Sequence, residues 1–255
     1  MNRVSTALGR AIARYIEKQT SGYVLLSAVS SAKVRACLQP GDVVLVEGDR
    51  RISTAIKYLT QSTWSHAAMY VGDGPGRDLI EADLRDGVRY LALDEVLHLN
   101  IRICRAVGLT DDDQKRVTDH MRASLGHTYD LKNVVDLARY LLPQPPVPKR
   151  FRRRMLALGS GDPTRAICSS LIAEAYQSIR YPILPMIETL QSGSEISEIL
   201  HIKHFSLFAP RDFDVSPYFQ VVKPTIEHGF DYKALQWGGP APVGRKPKSD
   251  EDTGI

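Results

Sequence analysis

The chain has 255 residues, enough to bury a full hydrophobic core, with 43% apolar and 24% charged residues and a formal net charge of +4. That charge is too small to argue for a nucleic-acid surface. The three cysteines, Cys37, Cys104 and Cys168, are widely spaced and odd in number with no paired metal-ligand motif, which argues against a disulfide framework.

In chain order, Val4, Leu8, Ile12 and Ile16 recur every four residues, which predicts an amphipathic helix over residues 3–18 with Arg and Lys on its outer side. Docking on the core is the ordinary use of such a face, and a membrane surface is the alternative. Arg3, Arg10, Arg14, Glu17 and Lys18 interrupt any apolar signal region, and no stretch approaches the roughly 20 apolar residues of a membrane span. A cytoplasmic location, with peripheral membrane contact left open, is the expectation.

Residues 23–37 read as a second helical stretch. Gln39-Pro40-Gly41-Asp42 is a turn signal ahead of the β-branched run Val43-Val44-Leu45-Val46, a buried strand. A helix is expected over 52–59. Residues 65–71 then alternate His66, Ala68 and Tyr70 on one strand face with Ala67, Met69 and Val71 on the other. Short strands at 79–82, 88–91 and 100–107, with a brief helical segment at 93–97, complete what reads as a meander of sequential strands. Thr110 before three aspartates starts a helix that runs to Leu125, where Gly126 stops it. Another helix is expected over 131–142. Residues 143–148, four of them proline, must be extended and stiff, and lead into the basic run 149–154, a solvated insertion or a docking patch. Residues 238–255, rich in Gly, Pro and charge, read as a disordered tail.

Cys168 carries the chemistry. It opens the run Ile167-Cys168-Ser169-Ser170-Leu171-Ile172, in which Leu171, Ile172, Ala175 and Tyr176 recur at helical spacing. Backbone N–H groups of a first helical turn have no partner within the helix, and their positive potential favours thiolate over thiol. A nucleophilic cysteine needs a base, and the base needs a third group to orient it. His98, His120 and His127 sit in or beside solvated helical stretches, whereas His66 lies in an apolar strand and must have a partner there. Glu81 shows the same oddity in the next strand. Antiparallel pairing would set the two side by side, with opposed Cβ atoms about 5 Å apart. A metal site built on His201, His204 and His228 lacks an acidic or cysteine ligand to complete it, and no Gly-x-Ser-x-Gly elbow occurs. Neither a metal nor an organic cofactor is expected.

Several ordered fragments resemble a known family: Pro40-Gly41-Asp42-Val43-Val44-Leu45, Ser65-His66-Ala67-Ala68-Met69-Tyr70-Val71-Gly72, Leu79-Ile80-Glu81-Ala82, Gly126-His127-Thr128-Tyr129-Asp130 and Ile167-Cys168-Ser169-Ser170-Leu171. They look like the permuted NlpC/P60 papain-like hydrolases of the YiiX/YaeF type, in which the histidine and acid precede the cysteine. The resemblance covers about residues 38–223. It implies an α+β fold, circularly permuted from papain, in which a small antiparallel sheet or barrel packs against helices that include the nucleophile helix. A helical extension (1–36), a catalytic domain (37–223) interrupted by an insertion (143–165), and a C-terminal extension (224–255) are the expected parts.

The resemblance further implies Cys168 as nucleophile, His66 as base and Glu81 as the group orienting it, with Ser169 and Tyr129 on the oxyanion or substrate-binding side. The expected activity is hydrolysis of a peptide or cell-wall-type amide through a thioester. Related lipid acyltransferases carry Glu-His after the cysteine, where this chain has Ser169-Ser170. Lipid deacylation or acyl transfer at a membrane surface is the alternative, and an inactive papain-like binding module is a second one.

Overall fold

In the computed structural model the described residues are 23–25, 30–83, 86–127, 167–192, 195–201 and 204–234. The expected helices over 3–18 and 131–142, the proline-rich and basic stretch within the insertion, the tail from 238 and Tyr129 lie outside them. Five strands and three helices come first: α1 (Ser31–Cys37), β1 (Val43–Glu47), α2 (Arg51–Thr60), β2 (His66–Tyr70), β3 (Leu79–Asp83), β4 (Gly87–Leu91), β5 (Asn100–Ala106) and α3 (Asp111–Ala123). The chain continues through α4 (Ile167–Ser178), β6 (Met186–Ser192), β7 (Glu195–His201), α5 (Pro210–Asp214), β8 (Phe219–Val222) and α6 (Pro224–Glu227).

Local chemistry explains most of these elements. Pro40 fixes the approach to the first turn, and Gly41 at φ +92° takes the left-handed position that lets the Asp42 N–H bond the Gln39 carbonyl at 2.9 Å. The chain then enters β1, whose residues 43–46 are buried on both faces. Thr110 caps α3 by accepting from the Asp113 N–H, the Asp113 carboxylate accepts in return from the Thr110 N–H, and three acids sit at the positive helix end.

Six strands form one antiparallel sheet in the order β4-β3-β2-β1-β5-β8, while β6 and β7 pair as a separate hairpin. Among the described residues the sheet is open rather than a closed barrel, with β4 and β8 at its edges. The expected meander holds from β1 to β4 and then breaks, because β5 crosses back to pair with the other side of β1. The backbone N–H and C=O groups along both edges of the buried β1 need partners, and β5 supplies those on the second side. Among the described residues of the helix expected over 23–37, Ser31–Cys37 is helical, capped by the Ser30 hydroxyl. Tyr23 and Val24 lie instead against β5: the Asn100 N–H donates to the Tyr23 hydroxyl, and Asn100 Nδ2 donates to the Val24 carbonyl at 3.0 Å.

Apolar clusters cover both faces of the sheet. On one, Leu171, Ile172, Ala175 and Tyr176 of α4 and Val117 and Met121 of α3 pack on Val43, Leu45, Met69 and Ile80. On the other, Val34 and Cys37 of α1 meet Val44, Val46, Ala68, Leu79 and Ile103. Tyr176 is fully buried, and its hydroxyl donates to the Gly41 carbonyl at 2.5 Å, tying α4 to the turn before β1.

Candidate active site

His66, Glu81 and Cys168 come from β2, β3 and α4, and the structure brings them together. The β2–β3 ladder pairs Tyr70 with Leu79 and Met69 with Ile80. The pairing ends there: Glu81, the next residue of β3, reaches His66 by its side chain, while the Ala67 N–H beside His66 bonds the Cys168 sulfur. His66 Nε2 and Glu81 Oε2 meet at 2.6 Å.

Cys168 is the second residue of α4 and is buried. Its sulfur is hydrogen-bonded to the His66 ring and to the backbone N–H groups of Ala67, beside His66, and of Ser169, the next residue of the helix. With Nε2 given to Glu81, Nδ1 is the ring nitrogen left for the sulfur. The three side chains thus form one hydrogen-bonded line.

The electrostatics follow from this line. Burial pushes the Cys168 thiol up, yet the His66 imidazolium and the two N–H donors outweigh it and bring the thiol below its usual 9.0. Burial alone would lower His66, but the Cys168 sulfur and then Glu81 hold it well above 6.5. Burial would raise Glu81, whose side chain is only 5% exposed, but its contacts with His66 and Arg89 keep it below 4.5. The arrangement favours a thiolate beside an imidazolium, with a carboxylate on the imidazolium's far side.

Of the two other residues expected at this site, Tyr129 lies outside the described residues. Ser169 is at the site through its backbone only. Its side chain is fully buried, and the hydroxyl donates to the Phe208 carbonyl at 2.8 Å. The histidines considered for metal do not share a helix, since His201 ends β7, while His204 stacks on Phe205 at 4.3 Å between ring centroids. Among the described residues no group of three or more His, Cys, Asp and Glu side chains is arranged to hold a metal ion.

Arg89 went unnoticed in the sequence. It stands directly opposite Glu81 in the β3–β4 ladder, and its Nη2 lies 2.7 Å from Glu81 Oε1. The sequence signal is a hairpin between two recognised strands, but a two-residue Asp86-Gly87 turn would set Ala92 opposite Glu81, whereas the observed pairing of Asp83 with Gly87 sets Arg89 there.

Residues 37–140 match the family described as permuted papain-like amidase enzyme, YaeF/YiiX, C92 family. His66 and Glu81 fall inside the matched segment and Cys168 beyond it. Among solved structures the chain is similar to the crystal structure of metalloprotein yiiX from Escherichia coli O157:H7, with 16% identity and a TM-score of 0.43 over 72% of this chain and 96% of that one. A search of curated proteins found no match. No helix among the described residues is long and apolar enough to cross a membrane.

Proposed function

We propose that the chain is a cysteine hydrolase that cleaves an amide bond through a thioester on Cys168, from the premise that residues 37–140 match the permuted papain-like amidase enzymes of the YaeF/YiiX family. The observation that carries this reading is the line from the Cys168 sulfur through the His66 ring to Glu81, closed at its far end by a 2.6 Å contact.

The reaction uses the groups in that order. The Cys168 thiolate attacks the carbonyl carbon, forming a C–S bond, and the oxygen becomes an oxyanion that we assign to the Cys168 backbone N–H at the start of α4. A donor so placed contributes about 3 kcal/mol to the transition state. His66 gives its proton to the departing amine as the C–N bond breaks. Water then attacks the thioester, His66 takes the water's proton, and the C–S bond breaks to release the acid and restore the thiolate. Glu81 keeps the imidazole in the orientation both steps need.

A peptide or cell-wall-type amide is the proposed substrate class, supported by the family's amidase description. The test is Cys168→Ala against a panel of peptide and cell-wall amides: turnover is expected to vanish, together with covalent labelling by a thiol-directed electrophile. Turnover that survives Cys168→Ala overturns the reading.

A further inference from the structure

Glu81 is held from two sides. From β2, His66 Nε2 reaches Oε2 at 2.6 Å, and from β4, Arg89 Nη2 reaches Oε1 at 2.7 Å. Both carboxylate oxygens are thus engaged by cationic groups, in a side chain only 5% exposed. The other charged neighbours are Asp83 on the same strand, Asp86, whose Oδ2 lies 3.9 Å from Arg89 Nε, and Cys168, which faces His66 from α4. Arg89 is the single fixed positive charge in this set, since a guanidinium does not deprotonate in proteins.

The proton transfers proposed above place two demands on His66. It must stay aligned, which asks for a firm carboxylate partner, and it must surrender a proton to the leaving amine, which a carboxylate devoted to it alone would resist. A carboxylate shared with a second cation attracts the first less strongly. We propose that Arg89 is a positioning residue that acts through Glu81, sharing that carboxylate so that the imidazolium is held in place yet still yields its proton. This inference rests on the cysteine-hydrolase reading, because it concerns the proton that His66 passes on.

The sign of one measurement separates this role from simple anchoring. The His66 ring is titrated by NMR in the full chain, its resonance identified by its loss in His66→Ala. Glu81→Gln is expected to lower the midpoint. Arg89→Met is expected to raise it by about half a pH unit, the scale of one partly screened charge, and Arg89→Lys to leave it near wild type. If Arg89 merely pinned Glu81 in place, Arg89→Met would loosen the carboxylate and move the midpoint down, as Glu81→Gln does. A downward or absent shift in Arg89→Met therefore overturns the proposal. β4 is an edge strand and the Arg89 side chain is 38% exposed, so the variant is expected to fold, and Arg89→Gln gives a second neutral substitution.

Alkylation of Cys168 by iodoacetamide, followed peptide by peptide, keeps the two ideas apart. Fast wild-type alkylation with an unmoved Arg89→Met titration overturns the role of Arg89 alone. Wild-type alkylation no faster than a free thiol overturns the hydrolase reading and the role of Arg89 with it.

Discussion

The indole of Trp64 donates its Nε1–H to Asp214 Oδ2 at 2.9 Å, joining the segment that enters β2 to a helix 150 residues further along the chain. Arg102 of β5 completes the junction: its guanidinium lies over the Trp64 ring at 5.0 Å and pairs with the other Asp214 oxygen. Because Trp64 stands two residues before His66, the starting position of the His66 strand depends on α5, an element formed only after the cysteine helix.

Trp64→Phe keeps most of the apolar volume and removes the donor. Trp64 is 7% exposed, so the bond is made largely out of water, and a hydrogen bond to a charged acceptor contributes about 1.5–3 kcal/mol. The expected loss lies at the lower end, about 1.5 kcal/mol, because Arg102 still neutralises Asp214. Urea unfolding reads it as a lower midpoint at unchanged slope. An unchanged midpoint would mean that the indole bond holds nothing.

Ser169→Ala separates the backbone of this residue from its hydroxyl. The hydroxyl bonds the Phe208 carbonyl in the core, whereas the N–H faces the Cys168 sulfur. Removing the hydroxyl is expected to cost about 1 kcal/mol of stability. The pH dependence of Cys168 alkylation should stay where it is, because the N–H survives the change. A shifted alkylation profile would mean that the hydroxyl, and not the N–H alone, bears on the Cys168 sulfur.

Much of this architecture was readable because it rests on short-range chemistry. Pro40-Gly41 marks the turn, Val43 to Val46 can only be a buried strand, and Thr110 with three acids marks a helix start, each from neighbouring residues alone. The pairing of His66 with Glu81 was legible as a need of each for a partner, since both are polar groups in apolar strands. The extent of the β2–β3 ladder was not: it ends at Met69 and Ile80, before either residue. The crossing of β5 to the far side of β1 was equally hidden: it satisfies β1, and nothing in residues 100–106 announces which neighbour they will have. The acceptor of the Ser169 hydroxyl was hidden for the same reason, since Phe208 lies 39 residues away.

His66→Ala tests the electrostatic core of the site. In the intact protein Cys168 lies below 9.0 because His66, with the Ala67 and Ser169 N–H groups, outweighs burial. Without the imidazolium, burial is opposed by the N–H groups alone, so the thiol is expected to rise. Each unit of rise removes about tenfold of the thiolate at neutral pH. Thiolate absorbance near 240 nm, followed from pH 5 to 11, should therefore appear later in His66→Ala, and alkylation at pH 7 should slow by about tenfold or more. Stability is linked to both groups. The raised His66 contributes stability that is complete below pH 6.5 and is lost as pH climbs through its folded value. The lowered Cys168 contributes stability that is complete above pH 9.0 and is lost as pH falls through its folded value. The two oppose each other, so the thiolate transition is the clean readout. A thiolate transition that stays in place would mean that the histidine and the cysteine do not share charge.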